Sequence, residues 1–300
     1  MKTGIGERRA SRYCLDKGQS VRPRLWCVAI LSMEGDMLSR NDDPLLPVGH
    51  DRDPELFDAL TTREISIHYQ PMIDLATGRV VAAEALARWD ETGPGAEALF
   101  TRARAARLQG PLSRTVQYDA LERAAIWEGA LGDIGLSSNL LPEELLDRDF
   151  PESFLDMLAD SGFPPERLTV ELVETQHVSE HPKAAERLAA LREKGIRIAI
   201  DDFGTGYSSL VYLTSLPIDT LKMDRSLVEQ IVGGDKARIV MRAMLTLAQE
   251  LGLRTVVEGV ENAAQLDLLS EWGADLYQGF LGSGPLDEEA LGRFVAFANR

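Results

Sequence analysis

Two adjacent carboxylates, Asp201 and Asp202, end the short apolar run Ile196-Arg197-Ile198-Ala199-Ile200 and open the Gly- and Ser-rich stretch Phe203-Gly204-Thr205-Gly206-Tyr207-Ser208-Ser209-Leu210. Carboxylates side by side at the mouth of a strand repel each other unless a cation or a shared proton intervenes. A lone Asp-Asp pair is most often a solvated turn. Here, however, comparable groups end several other apolar runs: Glu84 after Val80-Val81-Ala82-Ala83, Glu171 after Leu168-Thr169-Val170, Lys222 after Leu221, and Glu258 after Thr255-Val256-Val257, with Asn139 and Gln278 closing two more. Carboxylates with an amide oxygen and without His or Cys are hard donors that suit Mg²⁺ or Mn²⁺ rather than zinc. Five acidic side chains exceed the needs of one ion. Two cations about 4 Å apart, bridged by one carboxylate, fit the set better. Such a pair generates hydroxide and clamps a phosphodiester, and an ammonium among the carboxylates, Lys222, can hold the attacking water and steady developing negative charge.

Groups scattered from position 84 to position 278 meet only if the fold brings strand ends together. From about residue 55 the chain alternates strand-like segments, at 65–73, 80–86, 134–139, 167–173, 196–201, 218–222, 254–258 and 275–279, with amphipathic stretches such as Leu112–Leu131, Lys183–Lys194, Ala237–Leu251 and Ala263–Trp272. Eight strands with intervening helices point to an α/β fold of the (β/α)8, TIM-like barrel type, although a doubly wound sheet gives a similar pattern. A barrel places its chemistry at the C-terminal ends of its strands, where these polar groups fall.

The apolar fraction is 44%, enough for a substantial core, and the net charge of −16 argues against a protein that coats polymeric nucleic acid through a basic surface. A small phosphorylated ligand is compatible with that charge if metal ions supply the positive side. Both cysteines, Cys14 and Cys27, lie in the first thirty residues, so the body has no disulfide and fits a reducing cytoplasm. No apolar run reaches the roughly 20 residues needed to span a bilayer, and no membrane association is expected. Residues 1–40 carry eight Lys or Arg against four Asp or Glu, and Asn41-Asp-Asp-Pro-Leu-Leu-Pro follows. Residues 1–50 therefore read as a poorly ordered N-terminal tail and linker. Of the four histidines, His177 and His181 share helical spacing but lack the HExxH pattern, and His50 and His68 complete no metal set.

Over roughly residues 55–298 the chain resembles the EAL domain of bacterial cyclic di-GMP phosphodiesterases. The resemblance rests on Tyr69-Gln70-Pro71, Glu84-Ala85-Leu86-Ala87-Arg88-Trp89, Asn139, Glu171 with Glu174, the run Asp201–Leu210, Lys222-Met223-Asp224, Glu258-Gly259-Val260-Glu261 and Gln278-Gly279. It implies a barrel that hydrolyses cyclic di-GMP to linear pGpG with two Mg²⁺ or Mn²⁺ ions and is inhibited by Ca²⁺. By the same resemblance, Glu84, Asn139, Glu171 and Asp201 hold one metal, and Asp201 bridges to a second held by Asp202 and Glu258. Lys222 orients the nucleophilic water with Gln278 beside it, Gln70, Leu86 and Arg88 contact the nucleotide, and Glu174 anchors the loop that starts at Phe203. That loop is tied in the family to dimerisation, so a homodimer is implied. Departures from the family pattern lie outside this set: Val173 where Thr is usual, Leu140-Leu141 where a Leu-Ser pair is usual, and Arg104 where an acidic residue is usual.

The same barrel also supports a reading of another class, a catalytically weak or inactive cyclic di-GMP receptor or protein-interaction module, and a third, a phosphodiesterase of other small dinucleotides. The complete acidic set with Lys222 favours the enzyme. Residues 1–50 are too short for a sensor or cyclase, so regulation is expected through dimerisation, substrate concentration or a separate protein partner.

Overall fold

The computed structural model describes residues 52–89, 95–173, 178, 181, 183–204 and 210–300. The proposed tail and linker, Glu174, His177 and the segment 205–209 lie outside the described residues.

Eight strands, β1 (Ile65–Asp74), β2 (Val80–Trp89), β3 (Gly135–Leu140), β4 (Leu168–Val173), β5 (Arg197–Phe203), β6 (Thr220–Met223), β7 (Arg254–Val257) and β8 (Leu276–Tyr277), close into one barrel in sequence order. Helix α1 (Pro54–Thr62) precedes β1. Helices α2 (Ala96–Ala106) and α3 (Gln109–Ala124) join β2 to β3, and α4 (Pro142–Leu146) and α5 (Glu152–Ser161) join β3 to β4. Helices α6 (Ala184–Glu193), α7 (Leu210–Ser215), α8 (Arg225–Val228), α9 (Asp235–Glu250) and α10 (Ala263–Glu271) connect the remaining strands, and α11 (Glu288–Ala298) follows β8. Among the described residues no helix is long and apolar enough to cross a membrane.

The alternating pattern anticipates all eight strands but not the direction of the first. Strand β1 runs antiparallel to both β2 and β8, whereas β2 to β8 are mutually parallel. The reason lies in the connection, since residues 75–79 are far fewer than the dozen or more a parallel crossover requires. Asp74 closes this turn by accepting from the backbone N–H and the hydroxyl of Thr77, both at 2.8 Å. The stretch Leu112–Leu131, expected as one helix, ends at Ala124 and resumes as a single 3₁₀ turn at Gly129–Leu131. Helices α2 and α3 meet at Arg107, with φ 61°.

Strand alternation sorts the side chains into two layers. Tyr69, Leu136, Leu140, Leu172, Ile198 and Ile200 are buried and belong to the outward set that faces the helices. Inside the barrel, Met72, Val256 and Leu276 form an apolar layer with Ala82. One pleat higher on the same faces stand Gln70, Glu84, Glu258 and Gln278. The polar rim therefore rests on an apolar floor.

Two glycines let the strand ends close above that floor. A side-chain carbon on Gly259, at φ 69°, would lie 2.3 Å from Cβ of Arg225; on Gly279, at φ 156°, it would lie 2.3 Å from the carbonyl oxygen of Val260. Only glycine permits both the conformation and the approach. Each follows directly after a rim residue, Glu258 or Gln278.

Candidate metal centre

Strand pairing brings the predicted side chains to one level of the rim. Gln70 lies opposite Glu84, Glu84 beside Ser137, Asn139 beside Glu171, and Val173 beside Asp201. Beyond the last paired residues of β7 and β8, Glu258 N–H bonds to the carbonyl of Met223 at 3.0 Å and Gln278 N–H to that of Val257 at 2.9 Å. These bonds carry the ladder onward and hold both side chains in place. At the end of β5 the pairing with β6 shifts between Ile200 and Phe203. Asp202 takes a left-handed conformation, φ 56°, and its N–H bonds to Oδ1 of Asp201 at 3.0 Å. That bulge turns two consecutive carboxylates toward the same side, which regular alternation would forbid.

At the centre is Lys222, 1% exposed. Its Nζ lies 2.8 Å from Glu258, 2.9 Å from Glu171, 3.0 Å from Asp201 and 3.4 Å from Glu84. Glu84 also accepts from Gln278 Nε2 at 2.8 Å and from Asn139 Nδ2 at 3.2 Å. Among the described residues the buried amide oxygen Oε1 of Gln278 has no partner. Glu171 accepts a short hydrogen bond from the hydroxyl of Ser137. Ser137 was not among the expected site residues; its place two residues before Asn139, on the same face of β3, is the period-2 signal that identifies it.

Oxygen atoms of Glu84, Glu171 and Asp201 lie within 4.8 Å of one another, and so do those of Asp201, Asp202 and Glu258. The two triads share Asp201. Five carboxylates face one ammonium, so four negative charges are unbalanced, the number that two divalent cations carry. The fit of donor type and charge to two hard cations is therefore close.

Without cations the imbalance appears as proton affinity. Burial raises the Glu258 carboxyl to about 7 against the opposing pull of Lys222. Burial, then Asp201, raises Asp202 to about 6. Burial, then the neighbouring Glu84, raises Glu171 well above the ordinary range. For Glu84 burial acts upward, but Lys222, Gln278 and Asn139 together outweigh it and leave the group lowered. Burial lowers Lys222, and Asp201, Glu171, Glu258 and Glu84 overcome it and raise the ammonium well above its ordinary value. Raised carboxyls hold protons that the unfolded chain has already lost, so this cluster's contribution to stability falls as pH rises through the window from about 4 to 7. Cations compete with those protons. The expected result is that the increase in Tm produced by a fixed Mg²⁺ concentration is larger at pH 8 than at pH 5.5; thermal melts at both values check it, and an increase independent of pH would contradict it.

The β1–β2 hairpin forms one wall above the rim. Strand β2 pairs with β3 only over Ala82–Glu84 and continues to Trp89 against β1 alone. Gln70, His68 and Ser66 stand opposite Glu84, Leu86 and Arg88, so Leu86 and Arg88 share the face of Glu84 and lie progressively farther from the metal ligands. Gln70 Nε2 donates to the carbonyl of Ser283 at 3.3 Å, and Arg88 Nη1 to that of Ala87 at 2.8 Å. Eight of the twelve expected site residues, Glu84, Asn139, Glu171, Asp201, Asp202, Lys222, Glu258 and Gln278, thus converge. Gln70, Leu86 and Arg88 line the adjoining wall, and Glu174 lies outside the described residues. Val173 is 38% exposed at the rim, and Arg104 bonds to Gln109 at 3.0 Å on the outer helices.

The family model described as "EAL domain" matches residues 54–285. A cyclic di-GMP phosphodiesterase of Pseudomonas aeruginosa is 35% identical over 240 residues, which are 79% of this chain and 41% of that protein. The chain spans less than half the length of the curated relatives it matches. Among solved structures, the PaMucR phosphodiesterase in complex with c-di-GMP superposes with a TM-score of 0.73 at 30% identity, covering 79% of this chain and 98% of that one. Klebsiella pneumoniae BlrP1, solved with cyclic di-GMP and either calcium or manganese, gives a TM-score of 0.67 at 32% identity, covering 74% of this chain and 56% of that one.

Proposed function

This chain belongs to the EAL domain family, and on that basis we propose that it is a metal-dependent phosphodiesterase that hydrolyses cyclic di-GMP to linear pGpG. The observation that carries the reading is the pair of carboxylate triads sharing Asp201 around a buried Lys222. Glu84, Asn139, Glu171 and Asp201 would hold one Mg²⁺ or Mn²⁺ ion, and Asp201, Asp202 and Glu258 a second. Bound there, the cations would lower the pKa of a coordinated water and offset the charge of the phosphodiester.

The chain's own groups do the rest. Lys222 bonds to carboxylates of both triads, so its ammonium is placed to hold the attacking water and to stay charged as negative charge builds on phosphorus. The unpartnered Oε1 of Gln278 accepts a hydrogen bond from the same water and orients its lone pair. The attacking water gives up one proton as a P–O bond forms to its oxygen, the P–O bond to one ribose breaks, and the departing ribose oxygen takes up one proton, so that the elements of one water are added across the bond to give the linear dinucleotide. Arg88, half-buried on the hairpin wall, offers a guanidinium fork to phosphate; Gln70 and Leu86 contact the nucleotide. The homodimer, with Glu174 anchoring the loop after Phe203, and residues 1–50 as a tail preceding the domain at 55–298, belong to the same proposal, as do a cytoplasmic setting and a regulatory protein partner.

The departures from the family pattern, Val173, Leu140-Leu141 and Arg104, form part of neither triad, and it is the complete acidic set with Lys222 that favours turnover over a binding-only role. Hydrolysis of cyclic di-GMP by the purified protein in Mg²⁺ or Mn²⁺, beside Glu84→Ala and a binding titration in Ca²⁺, tests the reading. Production of pGpG by the native protein, lost in the variant and inhibited by Ca²⁺, is expected. Tight binding without product would establish the receptor instead.

A further inference from the structure

A buried polar cluster outside the barrel, behind β3, is not used by this chemistry. Glu144, on the five-residue helix α4, is 7% exposed, and Ser113 and Gln117, one turn apart on α3, are 3% and 2% exposed. Glu144 Oε2 accepts from the Ser113 hydroxyl at 2.7 Å, from the backbone N–H of Leu141 at 3.0 Å and from Gln117 Nε2 at 3.2 Å. Gln117 Nε2 donates in addition to the carbonyl of Asn139 at 2.9 Å and approaches Ser113 Oγ at 3.2 Å. Arg114 lies 3.8 Å from the other oxygen of Glu144.

Burying a carboxylate and a carboxamide is costly unless every group is satisfied. Part of their role is structural, since Glu144 caps the start of α4 through the Leu141 N–H. The cluster also grips the main chain on both sides of Leu140, at the Asn139 carbonyl and at the Leu141 N–H, where β3 bends into α4. Asn139 is the amide of the first ligand set, and its Nδ2 already donates to Glu84. Its side chain can present its oxygen to a cation only while its backbone is held so that Nδ2 stays on Glu84.

We propose that Gln117, supported by Glu144, is a positioning residue for the metal centre and sets cation affinity through the backbone of Asn139. The inference rests on the metal-dependent reading above. Partners at this remove typically change metal affinity 10- to 100-fold when lost.

The test is calorimetric titration of Mn²⁺ into the full chain, well below Tm, for the native protein, Gln117→Met and Ser113→Ala. Gln117→Met keeps the volume and removes both donors; a Kd about tenfold weaker is expected, with kcat at saturating Mn²⁺ within about threefold of native. Ser113→Ala removes a bond within the cluster but none to the β3 bend, so it is expected to lower Tm and leave Kd unchanged. A merely structural role for Gln117 predicts that it behaves like Ser113→Ala, and that result overturns the inference. If Gln117→Met fails to fold, Glu144→Gln and Glu144→Ala read the same effect at Leu141: the first keeps an acceptor and is expected to retain native Kd, the second to weaken it, and equal affinities would overturn the proposal. Absence of Mn²⁺ binding by the native protein would instead remove the metal-dependent reading itself.

Discussion

Replacing Lys222 with Met is expected to lower the Tm of the metal-free protein by roughly 10 °C and to reduce hydrolysis of cyclic di-GMP by at least about a thousandfold. The first figure follows from burial. Four carboxylates lie within 3.4 Å of Nζ, and removing one partner of a buried ion pair costs about 3–5 kcal/mol, each kcal/mol being about 2–4 °C in a domain of this size. The carboxyls can relieve the loss by taking up protons, which Glu171 and Glu258 already hold more tightly than usual. The deficit is therefore larger at pH 8 than at pH 5.5. Mg²⁺ should restore most of the lost Tm, because cations replace the missing charge, without restoring turnover, because they do not replace the donor to the attacking water. Melts with and without Mg²⁺ beside a hydrolysis assay check this. A variant that melts like the native protein without metal would show that Lys222 does not hold the cluster together; retained turnover would show that it does not serve the water.

The strand positions and the rim residues were legible because both follow a period of two along the chain, and an apolar run that ends in a charge is visible without knowing its neighbours. Strand direction was not, since nothing in Ile65–Asp74 differs from a parallel strand; the information lies in the short loop 75–79 and the Thr77–Asp74 turn. The left-handed Asp202 was hidden for a similar reason, because two adjacent carboxylates point the same way only after a bulge whose cause is a register shift against β6. Ser137 was legible in principle, on the face of Asn139, but a serine carries no distinctive signal until Glu171 stands beside it. The Ser113–Gln117–Glu144 cluster was illegible altogether: its members lie on elements brought together by packing of α3 and α4 outside the barrel, and only the burial of Glu144 distinguishes it from a surface glutamate.

The shared position of Asp201 makes Asp201→Asn the sharpest complement to the lysine experiment, because the two changes are expected to move stability in opposite directions and activity in the same one. The carboxamide keeps an oxygen for Lys222 and for the N–H of Asp202, so the local backbone has no reason to move. It removes a negative charge that raises the proton affinity of Glu171, Asp202 and Glu258, so the metal-free Tm should be equal to or above that of the native protein, with the gain greatest above pH 7, where Asp202 and Glu258 would otherwise be ionised. A neutral amide cannot bridge two cations, so both triads lose affinity together. The Mg²⁺-dependent rise in Tm should largely vanish, and hydrolysis should fall by at least about a thousandfold. If the acidic cluster existed only to neutralise Lys222, losing Asp201 would destabilise the metal-free protein and leave its response to Mg²⁺ unchanged. A more stable variant that no longer responds to Mg²⁺ is the outcome that only a two-cation centre built on a shared carboxylate predicts.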